Sequence, residues 1–348
     1  MTVDPRLLSL ATAVPAYPVR QADIRERMRR LFVSADRAME RLMPAFDNAG
    51  IETRYSCVPL DWYDEPHGWV EKNELYLANA LDLLETAARQ CLDDACLTAD
   101  AVDAVVCVST SGIATPSLEA RLMDRLGLRS DVMRLPVFGL GCAGGVLGLA
   151  RAADLVRADP TRRVLCLVIE LCGLTFRAGD RTKGNVIATA LFGDGCAAAL
   201  LGGEGDGPAL TGWGENTWPD TLDIMGWRVE EDGLGVLFSR DIPAFVRREM
   251  RTAADHFLAA QGLDIASIDN FVCHPGGAKV VSALEDVYGL QTGGLDDART
   301  VLRDFGNMSA ATVLFVLKRF LDRGGRGRAL VSTLGPGFTA GFMTLETA

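Results

Sequence analysis

Histidine is scarce in this chain, with three in 348 residues. Chemistry that needs an imidazole base therefore has few candidates. Runs of lysine or arginine are missing, and the net charge is −11. That balance argues against a nucleic acid or an anionic membrane surface as partner. It leaves room for one local basic pocket that takes a phosphorylated ligand. No Cys-x-x-Cys pair occurs, and the cysteine count of nine is odd. Several cysteines lie in apolar segments: Cys107, Cys166, Cys196 and Cys273. A reduced, cytoplasmic chain is expected, without a disulfide framework or zinc site. Long hydrophobic runs are missing too. The uncharged stretch Leu135 to Ala150 is too short and too rich in glycine to span a bilayer. Leu7 to Ala16 faintly resembles a signal-peptide core, but Arg6 is a lone basic residue, and the segment reads as a first strand.

What is present is an alternation of apolar strands and amphipathic helices. Strands are expected at 7–13, 102–108, 164–169 and 196–201, and again at 209–215, 235–238, 268–273, 329–334 and 341–345. Helices are expected at 21–32, 35–49 and 74–97. One is expected from Thr115 as cap, with Pro116 first, to Leu126. In the second half they are expected from Asp241, over 278–288, and over 309–322, closed by Gly324. After Thr175 the segment 177–184 reads as a polar loop. The rhythm indicates an α/β protein. At this length two cores are expected. The glycine- and acid-rich stretch Gly202 to Pro208 sets the boundary, giving halves 1–205 and 206–348.

The chain is organised around Val137-Phe138-Gly139-Leu140-Gly141-Cys142-Ala143-Gly144-Gly145-Val146. It reads as a strand, a glycine turn and a helix opening at Cys142. Val146, Leu149, Ala150, Ala153 and Val156 follow at helical spacing. A thiol at a helix N-terminus meets unpaired amides and a favourable dipole, which lower its pKa. Cys142 is then a nucleophile, or else a small buried apolar residue. Gly139-x-Gly141-x-x-Gly144 also fits a dinucleotide-binding turn, with Glu170 as ribose acid, though the spacing is long for that.

His67 and His256 lie in polar surroundings and read as surface residues. His274 ends an apolar strand before Pro275-Gly276-Gly277, where α/β sheets bind ligands. Asn307, in Gly306-Asn307-Met308-Ser309, is either a helix cap or an amide donor to a developing oxyanion. A Cys, a His and an Asn together suggest thioester chemistry.

With these segments the sequence resembles the type III polyketide synthases, the chalcone and stilbene synthase family. The motifs are Gly141-Cys142-Ala143-Gly144-Gly145, Thr175-Phe176-Arg177, Ala190 to Gly195, His274-Pro275-Gly276-Gly277, Gly306-Asn307-Met308-Ser309 and Gly335-Pro336-Gly337. The likeness runs from about Pro5 to the C-terminus. It implies a thiolase-like fold, two similar βα halves layered as αβαβα. It implies Cys142, His274 and Asn307 as catalytic residues, with His274 holding the Cys142 thiolate. The first half would carry the cysteine, and the second the histidine and asparagine. Phe192 and Phe238 match gate phenylalanines. Thr110, Cys172, Thr175, Gly276, Gly277 and Gly337 would line the substrate site. Thr115 matches a position that enters the partner's cavity in a homodimer. Substrates would be malonyl-CoA and an acyl-CoA or acyl-carrier-protein starter. No metal, pyridine nucleotide or prosthetic group is implied.

The departures concern substrate binding. In the coenzyme A tunnel segment Arg41 and Arg54 supply the basic groups, while Pro44 and Asn48 replace cations of plant relatives. Lys279 could compensate. Cys172 replaces a threonine, and Val229 falls near a cavity position often held by glycine. Trp218 to Trp227 resembles the bacterial branch that makes alkylpyrones and alkylresorcinols from fatty acyl starters. The alternatives are a single-round ketoacyl-ACP synthase III-like enzyme, a non-catalytic acyl-thioester-binding module and a dinucleotide-dependent oxidoreductase.

Overall fold

The computed structural model describes residues 3–33, 37–239 and 241–347. Strands β1 (Arg6–Ala13), β2 (Tyr17–Arg20), β3 (Thr53–Ser56), β4 (Ala104–Val108), β5 (Met133–Val137), β6 (Val164–Leu171) and β7 (Asp194–Gly202) belong to the first half of the chain. They are followed by β8 (Ala209–Thr217), β9 (Met225–Glu230), β10 (Gly233–Phe238), β11 (Asn270–Cys273), β12 (Gly327–Gly335) and β13 (Thr339–Thr347). The helices are α1 (Gln21–Met28), α2 (Pro44–Asp47), α3 (Trp69–Asp94), α4 (Leu118–Leu126), α5 (Gly144–Ala158) and α6 (Lys183–Leu191). Then come α7 (Ile242–Ala259), α8 (Ala278–Tyr288), α9 (Asp296–Phe305) and α10 (Thr312–Asp322).

Among the described residues a nine-stranded sheet runs β11-β12-β13-β8-β1-β7-β6-β4-β5. The join between β1 and β8 is a single pair, Arg6 with Ala209. On either side of it the directions repeat. Outward from β1, the pairings β1–β7 and β7–β6 are antiparallel and β6–β4 is parallel. Outward from β8, the pairings β8–β13 and β13–β12 are antiparallel and β12–β11 is parallel.

Helices α5 and α10 lie between the two halves of the sheet, α3 and α4 cover the outside of the first, and α7 and α8 cover the outside of the second. That is the expected αβαβα layering. The alternation of strand side chains explains it. Val106, Val108, Cys166 and Val168 face the central helices, while Val105, Cys107, Leu165 and Leu167 face α3. Strands buried on both faces read as continuous apolar runs. The apolar face of α5 predicted from Val146, Leu149, Ala150, Ala153 and Val156 packs wholly into this inner core. The crossing of the central helices is close. A Cβ on Gly145 would stand 2.2 Å from the Ala310 carbonyl oxygen, so only glycine fits.

Several expectations are corrected. The polar loop after Thr175 ends sooner, because Lys183–Leu191 is a helix capped by the Thr182 side chain. Helix α9 and strand β9 are additional to the expected elements, although Ala298, Val301, Leu302 and Phe305 of α9 do stand at helical spacing. The 35–49 helix is broken: residues 34–36 lie outside those described, 37–42 form a 3-10 turn, and α2 is four residues long. Thr115 does not cap α4. Ser117 holds the N-cap position, and Thr115 sits on an exposed turn with a cis bond to Pro116.

Candidate active site

Cys142 stands in a 3-10 turn, Gly141–Ala143, just ahead of α5. The turn is held from three sides. The Gly141 amide donates to Thr110 Oγ1 at 3.1 Å, the Thr333 hydroxyl donates to the Cys142 carbonyl at 2.6 Å, and the thiol donates toward Ser309 Oγ at 3.6 Å. Burial pushes the thiol up to about 12, with the nearby Glu170 carboxylate adding to it, against the lowering effect of Ser309 and Asn307. The sequence predicts a lowered thiol pKa at the helix end. In the buried pocket desolvation outweighs that dipole.

His274 follows β11, its amide donating to the Ser332 carbonyl at 2.9 Å. The ring is buried, and neither nitrogen meets a hydrogen-bond partner. Burial drives its pKa down to about 3. A buried unpaired imidazole costs stability, so its persistence points to a ligand. Asn307 lies just ahead of the 3-10 turn Ser309–Ala311, whose N-cap position Met308 holds. The Asn307 Oδ1 accepts from the Ser309 amide at 2.9 Å, which leaves the NH2 group to donate to the Gly276 carbonyl at 3.2 Å. The first bond fixes which end of the amide faces the site.

Cys142, His274 and Asn307 line one buried cavity of about 20 Å³, together with Met225, Phe238 and Gly276. A contiguous chamber on the other side of Cys142 is walled by Phe192, Trp227, Val236, Phe238, Ser309 and Pro336. Phe192 and Val236 also line an inner apolar cavity of about 50 Å³, with Cys172, Thr175, Ala188, Phe176 and Met28. Facing outward, a cleft of about 360 Å³ is lined by Arg41, Lys183, Lys279, Gly276, Gly277 and Phe238. Phe238 borders the catalytic cavity, the chamber and the outer cleft, and Phe192 borders the chamber and the inner cavity.

The remaining predicted residues divide. Thr110 stands behind the turn, between Gly141 and Glu170, whose carboxylate accepts from the Thr110 amide at 3.1 Å. Gly337 lies in the β12–β13 turn beside Pro336, which borders the chamber. Thr115 lines none of these cavities. Arg54 is not a cleft cation. It is buried and donates to the carbonyls of Thr189, Phe192 and Ala190 at 2.7, 2.5 and 3.0 Å, and to Gln21 Oε1. It therefore closes the C-terminal end of α6, whose dipole favours a cation there. Val229 is 80% exposed on β9, so it cannot shape the cavity; Gly226 and Trp227 do. Glu170 is fully buried, which removes it as a ribose ligand. His67 is half-buried rather than on the surface, stacked on Trp62 and paired with Glu71, while His256 is exposed as expected.

Lys183 escaped the sequence reading because its segment looked like loop. The signal was Thr182, a helix cap, three residues ahead of Asn185. Asp194 of the Phe-Gly-Asp-Gly motif is buried and accepts from the amides of Cys57 and Gly173 at 2.9 and 2.7 Å. It anchors the turn that carries Cys172.

Sequence comparison gives the class. The patterns described as "Chalcone and stilbene synthases" match residues 3–205 for the N-terminal domain and 214–347 for the C-terminal domain. The chain belongs to this family and is a type III polyketide synthase, an acyltransferase of thiolase-like fold that condenses malonyl-CoA iteratively onto an acyl thioester. It is 40% identical to a putative chalcone synthase of Bacillus subtilis, with 96% of each chain covered. It is 38% identical to the 1,3,6,8-tetrahydroxynaphthalene synthase of Streptomyces peucetius, over 96% of this chain and 91% of that one. The crystal structure of the Streptomyces coelicolor 1,3,6,8-tetrahydroxynaphthalene synthase superposes with a TM-score of 0.94 at 29% identity, over 99% of this chain and 100% of that chain.

Proposed function

We propose that this synthase primes Cys142 with a medium- or long-chain fatty acyl group and extends it to an alkylpyrone or alkylresorcinol. The observation that carries the chemistry is the convergence of Cys142, Asn307 and an unpartnered His274 on one buried cavity. His274 takes the thiol proton as Cys142 attacks the starter carbonyl, and returns it to the departing thiolate. Malonyl-CoA then loses CO2. The His274 ring and the Asn307 amide donate to the thioester enolate oxygen that forms. The enolate carbon attacks the acyl-Cys142 carbonyl, and the Cys142 thiolate leaves. The chain is then longer by two carbons and rests on coenzyme A. No bound cofactor takes part.

The starter assignment rests on the inner cavity, where Val19, Ile24, Met28, Leu60, Phe176 and Val236 supply an apolar wall beside Arg54, Asn185 and the hydroxyls of Tyr55, Ser56, Tyr63, Thr175 and Thr189. Arg41, Lys183 and Lys279 come from three separate elements and would hold the coenzyme A phosphates at the outer cleft. This supports coenzyme A as the carrier of both substrates; an acyl-carrier-protein starter would use the same cleft. A homodimer is supported by the edge strand β5. Met133, Leu135 and, just beyond it, Phe138 are exposed apolar side chains on an unpaired edge, a surface that proteins ordinarily cover. Thr115 and Ile113 lie exposed ahead of α4.

Product mass after incubation with malonyl-CoA and acyl-CoA starters of graded length tests the reading. Cyclised products that retain a long starter are expected. The 38% identical relative favours a second reading, in which malonyl-CoA is the only substrate and the product is a polyhydroxynaphthalene. Product formation from malonyl-CoA alone, unchanged by added acyl-CoA, would establish that reading instead.

A further inference from the structure

Among the described residues the hairpin β9–β10 is a separate two-stranded sheet and makes no pairing with the nine-stranded one. Its outer strand is half-exposed or exposed throughout. Yet it supplies Trp227, Val236 and Phe238 to the wall of the Cys142 chamber. Trp227 meets Phe192 edge-on, at 5.9 Å between ring centroids. Val236 and Phe192 are shared by the chamber and the inner apolar cavity. Two of the three side chains that part these spaces therefore ride on a hairpin that is held by the packing of β10 on α6 and on the Cys172 turn rather than by strand pairing with the large sheet.

Its tip is anchored from outside. Lys72 of α3 is buried, and its ammonium donates to the Asp232 carbonyl at the hairpin turn at 3.1 Å and to the Phe176 carbonyl at 2.8 Å. The Arg177 guanidinium donates to the Asp232 carboxylate at 2.6 Å and to Asp180 at 3.1 Å. Arg177 lies flat across β10, where a Cβ on Gly235 would stand 3.1 Å from Nη1. The loop that carries Arg177 is itself held, since the Asn185 amide donates to the carbonyls of Arg177 and Asp180 at 3.0 and 2.7 Å. A buried ammonium satisfied by two carbonyls is retained at a desolvation cost, and here both carbonyls fix one hairpin tip to the turn after Thr175.

We propose that Lys72, Arg177 and Asp232 are positioning residues. Their clasp sets the width of the Phe192–Trp227–Val236 passage and thereby selects the chain that passes from Cys142 into the inner cavity. They touch no reacting atom. The clasp rests on the reading that growing or starter chains enter that cavity. Releasing it lets β10 shift away from Phe192, and the enzyme loses discrimination between chain lengths while its thiol chemistry stands.

The test uses the full chain with Asp232→Ala, Lys72→Met and the conservative Asp232→Asn. Each is assayed for malonyl-CoA decarboxylation, for product chain length across a graded acyl-CoA series, and for hydrogen exchange of the 225–238 amides. With Asp232→Ala and Lys72→Met the ratio between best and worst starter is expected to fall by about tenfold, the scale of a few methylene contacts. Decarboxylation should stay within about twofold, and the hairpin amides should exchange faster. Asp232→Asn should fall between. An unchanged starter profile in folded variants overturns the clasp. So does a parallel fall in decarboxylation and condensation. If Lys72→Met does not fold, Asp232→Ala, at a half-exposed turn, decides alone. If the wild type accepts only malonyl-CoA, the fatty acyl reading fails. The clasp is then judged by the ratio of cyclised to prematurely released product.

Discussion

Phe192 and Asn307 form an isolated parallel β-bridge between the two halves of the molecule. The Asn307 amide donates to the Leu191 carbonyl at 2.8 Å, and the Gly193 amide donates to the Asn307 carbonyl at 3.0 Å. One backbone contact thus fixes a gate side chain from the first half relative to an amide donor from the second. A substitution that moves either strand moves both.

Replacing the nucleophile separates the two chemical steps. Cys142→Ala is expected to abolish condensation and leave malonyl-CoA decarboxylation measurable, because His274 and Asn307 are untouched. His274→Gln should depress both, by about a hundredfold or more for decarboxylation. Carbon dioxide release and product mass, read in parallel, check this. Product formation by Cys142→Ala would sink the assignment.

The outer cleft depends on cations that converge only in three dimensions. Lys183→Glu and Lys279→Glu should each raise KM for malonyl-CoA by about tenfold with kcat little changed, as expected when binding is lost equally from ground and transition states. The effect should shrink as salt rises. Initial rates at two ionic strengths measure it.

Filling the inner cavity should shorten the accepted starter. Cys172 and Ala188 both line it. Cys172→Phe or Ala188→Phe is expected to cut turnover of the longest acyl-CoA by about tenfold relative to a short one. Competition between a long and a short starter in one reaction, resolved by product mass, gives the ratio directly.

The buried Arg54 supports the gate from behind. Arg54→Met removes the guanidinium bonds to the Thr189, Ala190 and Phe192 carbonyls and leaves the Ala190 carbonyl with its bond from Gln21 Nε2. The expected loss is about 3–5 kcal/mol of stability. Chemical denaturation should show it as a lower midpoint at unchanged slope.

Glu170 makes stability fall with pH over a defined window. Burial raises its carboxyl from 4.5 to about 7, with only partial compensation from the Ser111 and Thr110 hydrogen bonds. The folded state binds the proton more tightly than the unfolded chain, so stability is highest below pH 4.5 for this group. It declines as pH rises toward 7. Glu170→Gln should escape that decline, and its melting temperature should gain on the wild type between pH 5 and 7.5, by the equivalent of about 3 kcal/mol. A constant difference across this range would exclude the assigned titration. His274 has the opposite sign. Its pKa, lowered from 6.5 to about 3, costs stability as pH falls below 6.5, and both variants share that term.

The sequence by itself determined the layers and singled out the three residues that line one cavity. Strands with apolar side chains on both faces, such as 104–108 and 164–171, can only be interior to a layered sheet. Cys142, His274 and Asn307 stood out because glycine-rich turns framed them and because histidine is so rare here. Tertiary structure alone decided which cations share the cleft and which guanidinium is buried. Arg41 and Arg54 look alike in sequence, yet one faces the cleft and the other caps α6. It also decided the direction in which the thiol's pKa moves, because a helix end favours the anion while burial opposes it, and packing sets the balance. Val229 and Trp227 lie two residues apart on one strand, but one is in solvent and the other in the chamber wall. Local pattern specifies elements and their apolar faces. Depth, pairing of remote charges and the meeting of cavities follow from how those elements stack, which no short stretch of sequence encodes.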